Sequence, residues 1–164
     1  AVSDQVGIPV EKAALQFRDF HGLRQKILRL ENRFTIIDDT YNASPDFMKA
    51  SLDVLCNMKT EGRKIAVLGD MFELGTDSER YHYEVGEYLA GLPVDELVVV
   101  GERAKAIHKA LIDHKSRILV SEYMDNEEVA MYLLGTLMPD DIVLIKGSNG
   151  MKMNEIVDLL QKSN

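Results

Sequence analysis

A chain of 164 residues with 46% hydrophobic and 28% charged side chains has the make-up of one globular domain, long enough to bury a core without covalent staples. Its formal charge of −8 argues against a nucleic-acid or anionic-membrane binder, which needs a basic face to displace counterions. The lone Cys56 excludes an intramolecular disulfide and a Cys-rich zinc site and suits a reducing, cytoplasmic setting. No apolar run approaches the ~20 residues of a membrane span. The start lacks the basic-then-apolar order of a secretory signal. It reads Ala1-Val2-Ser3 without a methionine, as expected of a processed chain or of a piece of a longer one.

In chain order, Val10, Ala13, Ala14 and Phe17 share one face of a helix that Pro9 opens. Ile27–Leu30 and Phe34–Asp38 are short β-rich runs separated by Glu31-Asn32-Arg33, a hairpin or a bent pair of strands. Continuous apolar runs follow at Lys64–Leu68, Glu96–Val100, Arg117–Val120 and Asp141–Ile145, the pattern of strands buried on both faces of a parallel sheet. Amphipathic helical patterns alternate with them at Pro45–Lys59, Ser78–Ala90, Arg103–His114, Asn126–Leu137 and Gly150–Gln161. Thr76 with Glu79, and Asp125 with Glu128, have the spacing of capping boxes. This series predicts a three-layer α/β domain with an open, mostly parallel, Rossmann-like sheet. A boundary is expected near residues 19–23, which divides the chain into 1–21 and 22–164.

Ligands of open α/β sheets lie beyond the carboxyl ends of the strands, so the loops there carry the functional candidates. Asp38-Asp39-Thr40-Tyr41-Asn42-Ala43-Ser44-Pro45 puts paired carboxylates at a strand end, suited to ribose hydroxyls or, more plainly, to capping the next helix. Gly69-Asp70-Met71-Phe72-Glu73-Leu74-Gly75 is an acidic loop between two glycines, open to a ligand backbone or simply folded back on the core through Met71 and Phe72. Gly101-Glu102 is a structural turn. Lys146-Gly147-Ser148-Asn149-Gly150 sets a cation and free N–H groups before a helix, either an anion site or a left-handed turn. The phosphate-loop pattern G-x-x-x-x-G-K-[ST] does not occur in the chain. His21, His82, His108 and His114 lack metal-ligand spacing, and Met71, Met131, Met138, Met151 and Met153 read as core fillers.

Three of these loops resemble motifs of the Mur ligases. Ile36-Ile37-Asp38-Asp39-Thr40-Tyr41-Asn42-Ala43-Ser44-Pro45 is similar to the family's D-D-x-Y-N-A-N-P stretch. Leu68–Gly75 with Ser78 and His82 is similar to L-G-D-M-x-E-L-G-x-x-S-x-x-x-H, and Lys146-Gly147-Ser148 to K-G-S-R. The resemblance covers nearly the whole chain as a C-terminal domain, with residues 1 to about 20 as the helix that ends the preceding central domain. It implies a cytoplasmic, ATP- and Mg2+-dependent amide ligase of peptidoglycan synthesis, acting on UDP-N-acetylmuramoyl-tripeptide and D-alanyl-D-alanine. Related ligases of the folylpolyglutamate and cyanophycin type share the domain fold, and a stand-alone nucleotide-binding module is the alternative of another class.

The resemblance also implies roles. Asp39, with its neighbour Asp38, faces the ATP ribose; Tyr41 and Asn42 line the nucleotide and acceptor side; Arg24 reaches the γ-phosphate from the hinge. Lys146, Gly147, Ser148 and Asn149 lie near the acceptor, while Gly69, Asp70, Glu73, Gly75 and His82 shape a loop, His82 by ordering it rather than by proton transfer. The chain departs from the family pattern at Leu23, inserted between Gly22 and Arg24, at Asn149 in place of Arg, and at Asn154 where Glu is common. No metal ligand and no bound cofactor is expected in this piece alone, which is expected to be inactive without the phosphate-loop domain.

Overall fold

The computed structural model describes residues 25–163. The predicted first helix, His21, the Gly22-Leu23-Arg24 departure and the boundary near residue 22 lie outside them. Strand β1 (Lys26–Arg29) and strand β2 (Thr35–Asp39) form an antiparallel hairpin, with Lys26 opposite Asp38 and Arg29 opposite Thr35. Asn32 turns the chain at φ 58°, a left-handed conformation that asparagine tolerates better than most residues.

From β2 onward strand and helix alternate. Helix α1 (Pro45–Asn57) is capped by Ser44, whose Oγ accepts from Phe47 N at 3.2 Å, and Pro45 occupies its first turn. Then come β3 (Lys64–Gly69), α2 (Ser78–Ala90), β4 (Glu96–Val100), α3 (Lys105–Asp113), β5 (Leu119–Tyr123), α4 (Asn126–Thr136), β6 (Ile142–Lys146) and α5 (Asn154–Lys162). The six strands lie in the order β1-β2-β6-β3-β4-β5, parallel except for the β1–β2 hairpin.

Alternation along the strands sorts the core into two layers. Ile37, Ala66, Leu68, Leu97, Val99 and Leu144 pack against Met48, Leu52 and Leu55 of α1, Val85 and Leu89 of α2, and Ile107 and Leu111 of α3. Ile36, Ile65, Val67, Val98, Val143 and Ile145 pack against Val129 and Leu133 of α4 and Ile156, Val157 and Leu160 of α5. The predicted three-layer α/β sheet is what forms.

Four local expectations change. The fifth strand starts two residues later than Arg117 and is an edge strand, not a buried run; Leu119 is 69% exposed because β5 has one neighbour only. The Thr76–Glu79 capping box does not form, since a 3-10 turn over Gly75–Asp77 leads into α2 instead. Gly150 falls in another 3-10 turn, and α5 begins at Asn154. Met131 and Met138 are exposed rather than core, at 68% and 60%, whereas Met71 and Met153 are fully buried.

Candidate functional site

Strands β2, β6, β3 and β4 end side by side and release their loops along one edge of the sheet. Chains leaving β2 and β3 pass to helices on one face, while the chain leaving β6 passes to α5 on the other. Divergence of this kind opens a crevice at the carboxyl ends of an α/β sheet, where ligands bind.

The crevice floor is a buried ion pair. Asp39 and Lys146 end their strands and are register partners. Lys146 Nζ stands 3.1 Å from Asp39 Oδ2, with the two side chains 0% and 2% exposed. The same oxygen accepts from Gln25 Nε2 at 3.1 Å and from Ser51 Oγ. Lys146 Nζ also donates to the Asn42 carbonyl at 2.7 Å and lies 5.9 Å from the Phe47 ring centre. The lysine that the sequence offers as the cation of an anion site is thus turned inward, because the parallel register sets a carboxylate beside it. A pair this deep holds only while both members and their hydrogen bonds remain, since either charge alone is costly there.

Around the pair the predicted residues spread along the rim. Asp38 is half-buried and accepts from Thr40 Oγ1 at 2.8 Å and Thr40 N at 3.3 Å. Tyr41 and Asn42 are exposed, and Asn42 Oδ1 accepts from Ala43 N at 2.8 Å. Asn149 is exposed at the start of its 3-10 turn, as is Asn154 at the start of α5.

The remaining motif residues interlock the loops. A Cβ on Gly69, the last residue of β3, or on Gly147, the residue after β6, would overlap the Met153 sulfur, so glycine at both positions lets the Met153 side chain pack this closely. Ser148 N donates to the Asp70 carbonyl at 3.0 Å, and Ser148 Oγ accepts from Phe72 N at 2.8 Å. Asp70 Oδ1 accepts from Ala104 N at 2.7 Å, and the carboxylate fills the space beside Gly101, whose φ of 103° suits glycine. His82 Nε2 accepts from Met71 N at 2.9 Å, while its Nδ1 donates to the Ser78 carbonyl at 2.7 Å. Burial pushes the imidazole pKa down, against the opposing pull of the Ser78 carbonyl. With both nitrogens engaged, the ring ties the Met71 amide to the first turn of α2. Glu73 stands exposed at φ 64°, as does Gly75 at the same angle.

Gln25 and Ser51 join the buried floor, and Arg103 the rim, without having been anticipated. Gln25 is placed by the hairpin register, one step beyond Lys26 opposite Asp38. Ser51 was legible in principle, being a polar residue on the α1 face that carries Met48 and Leu52. Gln25 Oε1 is buried with no hydrogen-bond partner among the described residues. Beside the rim a cavity of about 500 Å3 opens between the N-terminal ends of α2 and α3, lined by Ser78, Glu79, Glu102, Arg103, Lys105 and Lys109.

An open α/β domain with polar loops gathered at a sheet switch point has the architecture in which ligands are held beyond the strand ends. Residues 23–149 match the family model described as Mur ligase, glutamate ligase domain, so the chain belongs to the Mur ligase family. A UDP-N-acetylmuramoyl-tripeptide–D-alanyl-D-alanine ligase of Bacillus subtilis is 33% identical over 158 residues, which cover 94% of this chain and 35% of that protein. Its Escherichia coli counterpart is 32% identical over 83% of this chain and 29% of that protein. The crystal structure of a MurF ligase from Thermotoga maritima in complex with ADP superimposes with a TM-score of 0.69 at 31% identity, over 85% of this chain and 30% of that one. The chain thus spans about a third of the length of the curated relatives it matches.

Proposed function

We propose that this chain is the C-terminal domain of a cytoplasmic ligase that joins D-alanyl-D-alanine to UDP-N-acetylmuramoyl-tripeptide at the expense of ATP, with Mg2+, in peptidoglycan synthesis. Residues 22–164 are the domain and residues 1–21 the end of the central domain before it, a division supported by the family match beginning at residue 23. The observation that carries the reading is that the three motif loops, far apart in sequence, converge at the ends of β2, β6 and β3 in a fold shared with an ADP-bound ligase.

In this reading the β2 loop is the nucleotide side. The half-buried Asp38 offers a carboxylate acceptor to the ribose hydroxyls, Tyr41 and Asn42 offer exposed hydrogen-bonding groups, and Asp39, buried against Lys146, Gln25 and Ser51, holds the strand end that carries them. That donor and acceptor set fits a nucleoside. ATP, when bound, supplies the phosphoryl group that activates the tripeptide carboxylate, and Arg24 is assigned to meet its charge. The Mg2+ ligands are assigned to the other domains. Lys146, Gly147, Ser148 and Asn149 form the acceptor side. The Asp39–Lys146 pair fixes the two sides to each other, so the domain presents them as one rigid wall.

The test is ADP formation by the full-length ligase. It should require both D-alanyl-D-alanine and the UDP-linked tripeptide, whereas residues 1–164 alone should form no ADP. Turnover by the isolated domain at an ordinary enzymatic rate, or a full-length ligase indifferent to D-alanyl-D-alanine, would overturn the reading.

A further inference from the structure

The rim poses a question of charge. Lys146, the cation of the acceptor loop, is fully buried and bound to Asp39 and the Asn42 carbonyl, so its ammonium does not face the crevice. The cavity beside the rim holds three other cations. Lys105 Nζ is 2.9 Å from Glu102, and Lys109 Nζ is 3.9 Å from Glu79. Arg103 is exposed and has no carboxylate partner among the described residues. Its guanidinium lies over the Phe72 ring, 5.3 Å from the ring centre.

That placement ties Arg103 to the acceptor loop. Phe72 N donates to Ser148 Oγ at 2.8 Å, and the Phe72 ring lies against Gly150, where a Cβ would come within 2.8 Å of it. Asp70, two residues earlier, holds the Ala104 N–H next to Arg103 at 2.7 Å. The loops after β3, β4 and β6 therefore form one unit that carries a pre-placed guanidinium. An aromatic face restrains such a group without using its N–H donors, which leaves its planar fork for a carboxylate.

We propose that Arg103 is a substrate-binding residue that holds the carboxylate of the incoming dipeptide at the mouth of the α2–α3 cavity. The proposal rests on the ligase reading above. A nucleotide phosphate is the other anion within chemical reason. The nucleotide loop, however, leaves β2, which is separated from β4 by β6 and β3, so the two loop origins are roughly 14 Å apart at ordinary strand spacing. The acceptor loop, by contrast, touches Phe72 directly.

The experiment is steady-state kinetics of the full-length ligase with Arg103→Ala and Arg103→Lys, using D-alanyl-D-alanine and its C-terminal amide as acceptors. Loss of a charge-assisted pair should raise KM for the dipeptide roughly ten- to a hundredfold in Arg103→Ala. KM for ATP should stay unchanged, and Arg103→Lys should fall between. The telling readout is selectivity: wild type prefers the free acid to the amide, and Arg103→Ala should lose that preference, which mere loosening of the loop would not bring about. An unchanged acid-to-amide ratio in a folded Arg103→Ala ligase, or a rise in KM for ATP instead, would overturn the proposal. Failure of the underlying reading would show differently, as a wild-type enzyme that does not use D-alanyl-D-alanine at all.

Discussion

The two ends of the sheet each bury a carboxylate against a cation, and they do it differently. At the amino end, Asp141 accepts from Arg63 N at 2.8 Å, Arg63 Nη2 at 2.7 Å and Met138 N at 2.8 Å. Arg63 reaches in from a partly exposed position and also pairs with Glu96 at 3.5 Å, while Tyr132 donates its hydroxyl to Glu96. Backbone amides saturate the Asp141 carboxylate, and its cation comes from the surface. At the carboxyl end, Asp39 is held, among the described residues, by the side chains of Lys146, Gln25 and Ser51, and its cation is wholly interior. Around it lie exposed Tyr41 and Asn42, the close-packed Gly69 and Gly147, and a buried Gln25 oxygen without a hydrogen-bond partner among the described residues. The amino-end carboxylate is saturated by backbone amides, whereas exposed hydrogen-bonding groups surround the carboxyl-end pair.

The largest expected effect breaks the carboxyl-end pair. Lys146→Met leaves Asp39 charged and buried alone, and should cost about 3–5 kcal/mol in a denaturant melt. Adding Asp39→Asn should recover part of that loss, because no buried charge then remains. At the amino end, Asp141→Ala should cost less, about 2–3 kcal/mol, since Arg63 can turn to water and only part-exposed amides lose their acceptor.

His82→Ala comes next, at about 1–3 kcal/mol, for the Met71 N–H left without its acceptor. The pH dependence has a definite sign at both ends. Burial lowers the His82 pKa in the folded state, so the unfolded chain takes up its proton first. The stability this ring lends is present above about pH 6.5 and drains away as pH falls through the folded value. Burial alone would raise the Asp141 pKa, but hydrogen bonds from the Arg63 side chain and from the Arg63 and Met138 amides outweigh it and hold it below the ordinary range. Its contribution is therefore present above about pH 4 and is lost in stronger acid. Thermal melts of wild type and His82→Asn across pH should separate the two phases. The smallest effect belongs to the outer face of α4. Met131→Lys, at an exposed position, should change stability by less than about 0.5 kcal/mol.

Sequence patterning carried most of this architecture. The unbroken apolar runs of β3, β4 and β6 could only be buried on both faces, and the helices between them declared their inner faces. It misplaced β5 because Ser121 and Glu122 interrupt the apolar signal of an edge strand, which needs burial on one side at most. It misread Met131 and Met138 because a methionine in a helix carries no mark of which way it faces. The motif residues were legible one by one, but their pairing was not. That Lys146 would turn in to Asp39 follows from β6 lying between β2 and β3, a strand order that no local pattern encodes. Gln25 and Arg103 came into view only when the hairpin register and the meeting of three loops were known.

The contrast between the two ends is tested most directly by one pair of isosteric changes in the full-length ligase, Asp39→Asn and Asp141→Asn, assayed for ADP formation with saturating D-alanyl-D-alanine and tripeptide. Asp39→Asn should lower kcat/KM for ATP at least roughly tenfold in folded enzyme, because it leaves Lys146 without its counter-charge and unsettles the loop that carries Asp38, Tyr41 and Asn42. Asp141→Asn should lower the melting temperature and leave turnover per folded molecule unchanged. Undiminished kcat/KM in Asp39→Asn, or an equal loss in Asp141→Asn, would contradict the assignment of the carboxyl end as the working face of the domain.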